Sequence, residues 1–352
     1  MAHSSPHQPA HGLPHRPWRS SPHRPVREGC ELTILTVVMG KHYDYIDRQI
    51  RLIEALNPGE PFEYLIVDNA AIGGRPRFSI DDPHCRVIAG VSAEGLPAEG
   101  RGSYHHAAAL NMALAHVRTP RLLIMDPDLF VVRNYWIDDC LVHLSRRGLT
   151  LLGVPWHYAW HRKWRYFPCV HFLLIDLEKL PIARIDFTPA VAKDRRWIAS
   201  PFARWLNRAM PLSYARLLLE SRRDTGWRLH RKFHRRENDF EAMQPVIDLD
   251  ADLVRPRYLK SLRARWLEPR LPRRWSFFPA EGTYVPPSAA QEFDHPAVQA
   301  LQPECFVWMG APFAFHMRRN MRDKRKGWTE EDASRDQVFL NALLEEIGAS
   351  GF

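Results

Sequence analysis

The chain has 352 residues, which is enough for one large α/β domain with additions or for two domains. Its hydrophobic content of 45% is ordinary for a globular protein with a substantial core. The formal net charge of +9 favours anionic partners such as nucleotides, nucleic acid or an anionic membrane surface, without choosing among them.

Cysteine usage and hydropathy argue against several further classes of protein. The five cysteines are scattered and include no Cys-x-x-Cys pair, which argues against a disulfide scaffold or a zinc knuckle. No apolar stretch approaches the roughly 18 residues of a membrane span. The polar N-terminus lacks the apolar segment of a signal peptide. We therefore predict a cytoplasmic protein, with peripheral contact to a membrane as a further option.

Residues 1–29 are rich in histidine, proline, serine and arginine, and they offer almost nothing that could be buried. Such a composition predicts a disordered tail. Histidines recur there at every fourth residue, a spacing that would align them on one face of a helix. Pro6, Pro9 and Pro14 exclude that helix, so a solvated tail is the better interpretation.

The first predicted elements alternate between strand and helix. Leu32–Val38 is rich in β-branched residues and predicts a strand. A helix is predicted over 46–56 from apolar residues at helical spacing, and the Asn-Pro-Gly sequence at 57–59 ends it. Residues 64–67 and 85–91 predict a second and a third strand.

A second helix is predicted over 107–117, and Thr119-Pro120 ends it. It leads into Leu122–Met125, four apolar residues that fit a strand buried on both faces. The order strand, helix, strand, strand, helix, strand indicates crossover connections between parallel strands. The predicted fold class is therefore α/β, with a mainly parallel, Rossmann-like central sheet, flanking helices and C-terminal additions.

The pattern is looser in the C-terminal part of the chain. Strands are predicted at 149–154, 170–177, 306–309 and 314–317, and helices over 197–236 and from 329 onwards. The stretch Trp156–Phe167 is dense in aromatic and basic residues, which either stack on sugar or acceptor rings or pack in core and loops. Residues 255–274 contain eight basic residues and one acid, and they face an anionic lipid surface, an anionic acceptor or solvent.

Two carboxylates directly follow the strand at 122–125. Pro127 cannot donate to a β-ladder, so Asp126 and Asp128 are predicted at the carboxyl end of that strand, where open α/β sheets bind ligands. Two carboxylates one residue apart suit a hard divalent cation that also binds a diphosphate. The alternative is an acidic turn after a strand, because Asp and Pro are common turn residues.

The ordered set of these segments resembles the nucleotide-sugar half of GT-A-fold glycosyltransferases of the family 2 type. Four segments carry the resemblance, which covers about residues 31–135: Thr33–Val38, Val67-Asp68-Asn69, Gly102–Asn111 and Asp126-Pro127-Asp128. Two later segments extend it. Asp224-Thr-Gly-Trp227 lies where such enzymes place an acid facing the acceptor, and Phe315-His316-Met317 resembles the histidine segment that completes many of their metal sites.

The resemblance implies a role for each polar residue in these segments. Nucleotide-sugar contacts are implied for four of them: Asp68, Asn69, Asn111 and Asp126. A Mn²⁺ or Mg²⁺ ion would be held by Asp126, Asp128 and His316 and would neutralise the leaving diphosphate. Asp224 would be the general base at the acceptor hydroxyl.

Each of these residues also has an ordinary structural interpretation. Asp68 is alternatively a turn acid at a strand end, and Asn111 a helix-packing residue. Asp224 before Thr-Gly is alternatively a helix N-cap or turn residue. His316 is alternatively a buried, hydrogen-bonded histidine in an apolar stretch. These alternatives stay open at the level of the sequence.

The chain departs from the family pattern in two respects. Asn69-Ala70-Ala71 replaces the Asp-Gly-Ser that is common after the second strand, and the Gln-x-x-Arg-Trp signature of processive members is absent. We therefore predict a non-processive enzyme that moves one sugar from a nucleoside-diphosphate sugar to a glycan, lipid or protein acceptor. The resemblance further implies that the reaction inverts the configuration at the sugar. The predicted division is a nucleotide-sugar-binding half, 30–135, and an acceptor-side half with a C-terminal helix, 136–352.

Two other functions compete with this prediction. A sugar nucleotidyltransferase would begin with a Gly-rich loop and a Lys for the triphosphate, but only Met39-Gly40-Lys41 follows the first strand. A non-enzymatic basic α/β protein that binds nucleic acid or an anionic membrane surface fits the net charge. Its basic residues are spread along the chain without a recognised nucleic-acid motif, so no nucleic-acid partner is expected.

Overall fold

The computed structural model describes residues 29–40, 43–71, 74–80, 82, 84–98, 100–157, 166–190, 224–248, 282–290, 298, 303–317, 337–338 and 340–347. Several sequence predictions lie outside these residues: the tail up to residue 28, the centre of the aromatic stretch, the helices over 197–223, the basic run 255–274 and the start of the last helix. The predicted last helix is present where it is described, over 340–347.

The described residues form eleven strands, which are Leu32–Val38 (β1), Phe62–Asp68 (β2), Cys85–Ala89 (β3), Arg121–Met125 (β4), Leu129–Val131 (β5), Leu151–Pro155 (β6), Pro168–Asp176 (β7), Phe240–Ala242 (β8), Gln244–Pro245 (β9), Glu304–Trp308 (β10) and Ala311–His316 (β11). Their longer helices are Tyr43–Leu56 (α1), Arg101–Ala113 (α2), Trp136–Arg146 (α3) and Trp227–Phe233 (α4). No two of the five cysteines form a disulfide.

Seven strands form one large sheet in the order β3-β2-β1-β4-β7-β6-β8. Strands β3, β2, β1 and β4 pair in parallel, as crossover connections through α1 and α2 require. Strand β7 is antiparallel to β4 and β6, and β8 pairs with β6 in parallel. The predicted α/β class with a mainly parallel central sheet is confirmed.

The central strands are apolar because both faces of the sheet are covered. Every residue of β1 is buried, and so are the four residues Leu122–Met125 of β4. Helix α1 buries Ile46, Ile50 and Ile53 and leaves Asp47 exposed, so it presents one apolar stripe to the core. Packing of these apolar segments against one another fixes the position at which β4 ends.

Asn57 ends α1 and joins it to α3. Its side chain is buried, and its Nδ2 donates to the Ile53 carbonyl at 2.7 Å. Its Oδ1 accepts a hydrogen bond at 3.0 Å from the amide of Ile137, in the first turn of α3. The predicted stop at 57–59 is thus confirmed, and Gly59 leaves the helix with a positive φ of 76°.

A second, small sheet has the order β5-β11-β10-β9, with every pair antiparallel. Strand β5 follows β4 after the turn Asp126-Pro127-Asp128, so this carboxylate turn connects the two sheets. The amide of Met317, just past β11, donates to the Asp128 carbonyl at 2.8 Å. The turn is therefore fixed by both sheets.

The predicted bounds of β10, in the small sheet, need two corrections. The prediction placed Met309 in a strand, but β10 ends at Trp308, and Met309 has a φ of 53° in the hairpin turn with Gly310. Strand β10 also begins two residues earlier than predicted, at Glu304. A buried charge is rare in a strand, so the carboxylate concealed this start from an apolar pattern.

The large sheet takes strands from both sides of the predicted division at residue 135, since β7, β6 and β8 extend the sheet begun by β1–β4. The division into halves by ligand stays a prediction. Within the described part of the chain, no helix has the length and apolar character needed to cross a membrane.

Candidate functional site

The carboxyl ends of β1 and β4 lie at the topological switch point of the large sheet. From β1 the chain adds β2 and β3 on one side, and it then returns through α2 to place β4 on the other side. Open α/β sheets bind ligands in the crevice outside the carboxyl ends of the strands at such a point. Asp126 is the first residue after β4 and therefore lies at this crevice.

Asp126 is held by β7. Its amide donates to the carbonyl of His171 at 2.9 Å. The imidazole Nδ1 of His171 donates in turn to Oδ2 of Asp126 in a short hydrogen bond. The ring of Trp156 packs edge-on against His171, with the ring centroids 4.2 Å apart. One carboxylate and one imidazole thus share the end of adjacent strands beside an aromatic wall.

Asp128 faces His316 of the small sheet. Nε2 of His316 donates to Oδ1 of Asp128 at 3.1 Å and lies 3.8 Å from Oδ2 of Asp126. On the other side of the ring, Nδ1 donates to Oε2 of Glu304 at 3.2 Å. Glu304 also lies 3.6 Å from Nδ1 of His157. The carboxylate turn therefore contacts histidines from both sheets.

His316 is 4% exposed, and its ring lies between the carboxylates of Asp128 and Glu304. Burial alone would lower its pKa, but the charges and hydrogen bonds of Asp128 and Glu304 raise the pKa of His316 to about 10. The two carboxylates therefore stabilise a positive charge on the His316 ring. A metal ion bound at Nε2 would take the place of that proton.

Gln49 of α1 fixes the backbone of the carboxylate turn. Its Nε2 donates to the carbonyls of Asp126, at 2.9 Å, and Leu129, and its Oε1 accepts from the hydroxyl of Tyr64. Gln49 is 1% exposed, and Tyr64 is fully buried. Sequence reasoning missed Gln49, although it falls on the apolar stripe of α1, where a polar residue needs a buried partner.

Among the described residues, one group offers ligand atoms for a metal ion: Asp126, His171 and His316, whose ligand atoms lie within 4.8 Å of one another. A carboxylate and two imidazoles are a donor set that fits a divalent transition metal. Asp128 was predicted as a ligand and lies beside this group, at His316. His171 was missed; the available signal was a single histidine inside the apolar run of a predicted buried strand.

Asp68 ends β2 at the same edge of the sheet and is fully buried. Its carboxylate accepts hydrogen bonds from the Tyr43 hydroxyl at 2.8 Å and from the amides of Ala70, Arg77 and Phe78 at 2.9, 2.6 and 3.0 Å. Burial alone would raise its pKa, but these four donors lower it. Asp68 thus connects the two ends of the loop after β2, near Ala70 and near Phe78.

The two predicted asparagines also contact the chain. Asn69 is buried, and its Nδ2 donates to the His105 carbonyl at 3.3 Å, which ties β2 to α2. Asn111 accepts a hydrogen bond at 3.0 Å from the amide of Phe187 and donates to Thr188 at 3.3 Å. It thereby positions the segment 186–188 against α2.

Asp224 lies in a turn that docks on this segment. The amide of Gly226 donates to the Phe187 carbonyl at 2.7 Å, and Thr225 Oγ1 donates to the carbonyl of Ser103 in α2 at 3.1 Å. Gly226, with φ 84°, is the N-cap of α4, so the interpretation of Asp224 as the N-cap is wrong. Asp224 is a turn residue whose Oδ1 accepts from the Thr225 amide at 2.8 Å.

The structure therefore divides the predicted residues into two groups. It brings Asp126, Asp128 and His316 together. Thr225, next to Asp224, contacts the first turn of α2. That helix begins at the carboxyl edge of the sheet because it leads back from β3 to β4. Asp68 lies farther along this edge, at the end of β2.

No family model matches the chain, and no curated protein matches it. Solved structures with a similar arrangement include the mannosyltransferase PcManGT from Pyrobaculum calidifontis in complex with GDP-Man and Mn²⁺, at 17% identity and a TM-score of 0.33 over 49% of this chain and 51% of that chain. They also include the galactosyltransferase LgtC with donor and acceptor sugar analogues (15%, TM-score 0.29, 47% and 64%) and TarS from S. aureus (11%, TM-score 0.31, 55% and 57%). The aligned part spans less than two thirds of each of these chains.

Proposed function

We propose that the protein is a metal-dependent glycosyltransferase that moves one sugar from a nucleoside-diphosphate sugar to an acceptor. The observation that carries this proposal is the convergence of Asp126, Asp128 and His316 at the switch point of the large sheet. Cations that bind a diphosphate take carboxylate ligands, and open α/β sheets bind ligands at this edge. The +9 net charge favours the same anionic ligand.

The chain's own residues would divide the work of the reaction. Asp126 and His316 would hold the cation, and Glu304 would orient the His316 ring through Nδ1. Asp128 lies at Nε2 of His316, so its hydrogen bond there would give way to the cation and its carboxylate would face the bound ion. The cation, when bound, supplies a Lewis acid for the diphosphate that leaves. Gln49 keeps the turn in place through its backbone, so the ligands need not reorganise when the donor binds.

Asp224 would act as the general base at the acceptor hydroxyl. Its turn is fixed to α2 through Ser103 and to the segment 186–188 through Gly226, so its carboxylate is carried by rigid backbone. A single base opposite the leaving group corresponds to inversion at the sugar. The acceptor stays open among glycan, lipid and protein, as do the cytoplasmic location and any peripheral membrane contact.

The base and ribose of the nucleotide would bind beside the loop that follows β2. Asp68 accepts four hydrogen bonds from the chain, which matches the roughly four lone-pair sites of a carboxylate. We therefore expect Asp68 and Asn69 to shape this pocket through the loop and through α2. The direct nucleotide contacts predicted for Asp68, Asn69 and Asn111 stay predictions.

The proposal is tested by calorimetry with GDP, UDP, CDP and ADP, with and without Mn²⁺. Wild type should bind one nucleotide in a metal-dependent manner, and Asp128→Asn should weaken that binding by more than about 10-fold, because a negative carboxylate beside the cation is lost. The matched control is Asp47→Asn, an exposed acid on α1 that pairs with Arg51 at 2.9 Å, and it should bind like wild type.

Two outcomes would reject the proposal. If no nucleotide binds under any condition, the protein is not a nucleotide-sugar transferase, and a basic binding protein becomes the better explanation of its charge. If nucleotides bind equally well without metal and in the Asp128→Asn variant, the carboxylate turn is not the diphosphate site.

A further inference from the structure

The candidate metal site contains two imidazoles, and the second of them was not part of any sequence expectation. His171 comes from β7 of the large sheet and His316 from β11 of the small sheet. Their rings lie with centroids 4.4 Å apart at an interplanar angle of 36°, and both face Asp126. The carboxylate of Asp126 therefore lies at the point where the two histidines meet.

The orientation of each ring is fixed by a neighbour. Glu304 binds Nδ1 of His316 at 3.2 Å, which leaves Nε2 directed at the two aspartates. A carboxylate on the outer nitrogen of a metal-binding histidine fixes its tautomer and increases its basicity. Trp156 packs edge-on against the His171 ring, and this contact with a buried indole limits rotation of the imidazole.

Burial limits the water that a bound cation could retain on the protein side. His171 is 7% exposed and His316 4%, whereas Asp126 is only partly buried. Mg²⁺ gives up its water reluctantly and prefers oxygen ligands, whereas imidazole nitrogens suit the transition metals. The affinity of a mixed nitrogen and oxygen site rises from Mn²⁺ to Co²⁺.

Resting on the proposed function, we propose that Asp126, His171 and His316 form a centre of two histidines and one carboxylate that selects transition-metal cations over Mg²⁺. These three residues would hold the cation, and the oxygens of a diphosphate would supply further ligands. Asp128 lies at Nε2 of His316, so its hydrogen bond there would give way to the cation, and its carboxylate would face the bound ion. His171 is the residue that sets the metal preference.

The experiment measures binding of Mg²⁺, Mn²⁺ and Co²⁺ to the full chain by calorimetry, together with the absorption spectrum of the Co²⁺ form. Wild type should bind Co²⁺ more tightly than Mn²⁺, and Mn²⁺ more tightly than Mg²⁺. His171→Asn should weaken Co²⁺ binding by more than about 10-fold and shift the Co²⁺ bands, because even the partners of metal ligands contribute about 10 to 100-fold. Mg²⁺ binding should change by less than about 3-fold.

The matched control is His143→Asn on α3, which removes a histidine that pairs with Glu241 at 3.0 Å. Its metal affinities should equal those of wild type. Equal affinity of wild type for Mg²⁺ and Co²⁺, or unchanged Co²⁺ binding in His171→Asn, would overturn the proposal.

A measurement on wild type alone covers the case in which His171→Asn does not fold. Pulsed electron paramagnetic resonance of the Mn²⁺ form should show hyperfine coupling to two imidazole nitrogens, and coupling to one or none would reject the centre. The two proposals fail separately. If the protein binds transition metals selectively but binds no nucleotide, the transferase proposal is rejected and the metal centre is retained. If Mg²⁺ supports nucleotide binding and His171→Asn does not change it, the metal centre is rejected and the transferase proposal is retained.

Discussion

At the scale of single residues, Asp68 shows how a charge can be fully buried and still stabilise the fold. Its carboxylate accepts four hydrogen bonds, from Tyr43, Ala70, Arg77 and Phe78. Bonds to a charged acceptor are among the stronger ones in proteins, at about 1.5 to 3 kcal/mol each. The loop after β2 therefore depends on the ionised form of one side chain.

Asp68→Asn should lower the free energy of unfolding by about 2 kcal/mol or more at pH 7, because an amide nitrogen would face backbone donors. The pKa of Asp68 is lower in the fold than the value of about 3.9 in an unfolded chain. A group with a lowered pKa contributes stability that is present above its unfolded pKa and is lost as the pH falls through its folded pKa. The difference in the free energy of unfolding between Asp68→Asn and wild type should therefore shrink below about pH 4.

Urea unfolding at a series of pH values measures this difference. Asp47→Asn, at an exposed position, is the control and should show little change at any pH. A difference for Asp68→Asn that stays constant down to pH 3 would show that the charge of Asp68 does not stabilise the loop.

Gln49 is the second residue whose removal should be felt at the site. Gln49→Leu removes the hydrogen bonds to the carbonyls of Asp126 and Leu129 and from the hydroxyl of Tyr64. A buried polar group that is left without a partner costs about 1 to 3 kcal/mol. We expect both the free energy of unfolding and the Co²⁺ affinity to fall. Tyr64→Phe removes only the hydrogen bond from the Tyr64 hydroxyl to Gln49. It should lower stability and leave the Co²⁺ affinity within about 3-fold of wild type. Equal metal binding by both variants would mean that the turn holds its shape without Gln49.

At the scale of elements, the close approach of β6 to β7 depends on a glycine. A Cβ at Gly153 would lie 2.0 Å from the carbonyl oxygen of Phe172 and 3.2 Å from Cα of Leu173. Backbone cannot move aside as a flexible side chain can. Since Phe172 adjoins His171 in β7, this packing also supports one of the candidate ligands.

Gly153→Ala should therefore destabilise the protein by about 2 kcal/mol or more, in the range of other overpacked positions. Gly102→Ala is the matched opposite, because Gly102 lies in α2 and a Cβ there meets nothing within 4 Å. It should raise stability by about 0.5 to 1 kcal/mol, since alanine is the better helix former. Thermal unfolding of both variants measures the pair. A neutral Gly153→Ala would show that the two strands can separate without cost.

The sequence predicts the elements better than it predicts their contacts. Strands β1 and β4 and helix α1 were found because apolar runs and helical spacing are local signals. The candidate metal ligand Asp126 followed from its place after a buried strand, and His316 followed from a family resemblance. His171 and Glu304 were not found, because each is a polar residue in an otherwise apolar strand. Only the pairing of β7 with β4 and of β10 with β11 brings these two to their polar partners, and pairing is not a local property. Gln49 was not found because its partners, in the carboxylate turn and in β2, are distant in the sequence.

At the scale of the whole molecule, the candidate metal centre lies between the two sheets. Asp126 follows β4 and His171 lies in β7, both in the large sheet, whereas His316 ends β11 of the small sheet. Backbone bonds already reach the carboxylate turn from each sheet, from His171 of β7 to the Asp126 amide and from the Met317 amide to Asp128. A cation held by all three ligands would add a second connection between the sheets, so its binding energy should stabilise the molecule as a whole.

Co²⁺ at 100 times its dissociation constant should raise the free energy of unfolding of wild type by about 2.7 kcal/mol, the value expected when a ligand binds only the folded state. Amide exchange should slow in both sheets, at the Asp126 amide bound to His171 and at the Met317 amide bound to Asp128. The amide of Gly148, at the end of α3, is the internal control and should slow only as far as global unfolding governs its exchange. His316→Asn removes the ligand from the small sheet, so protection by metal should then be confined to the large sheet. If metal protects one sheet alone in wild type, the cation does not bridge them, and the ligands of the centre must come from that sheet.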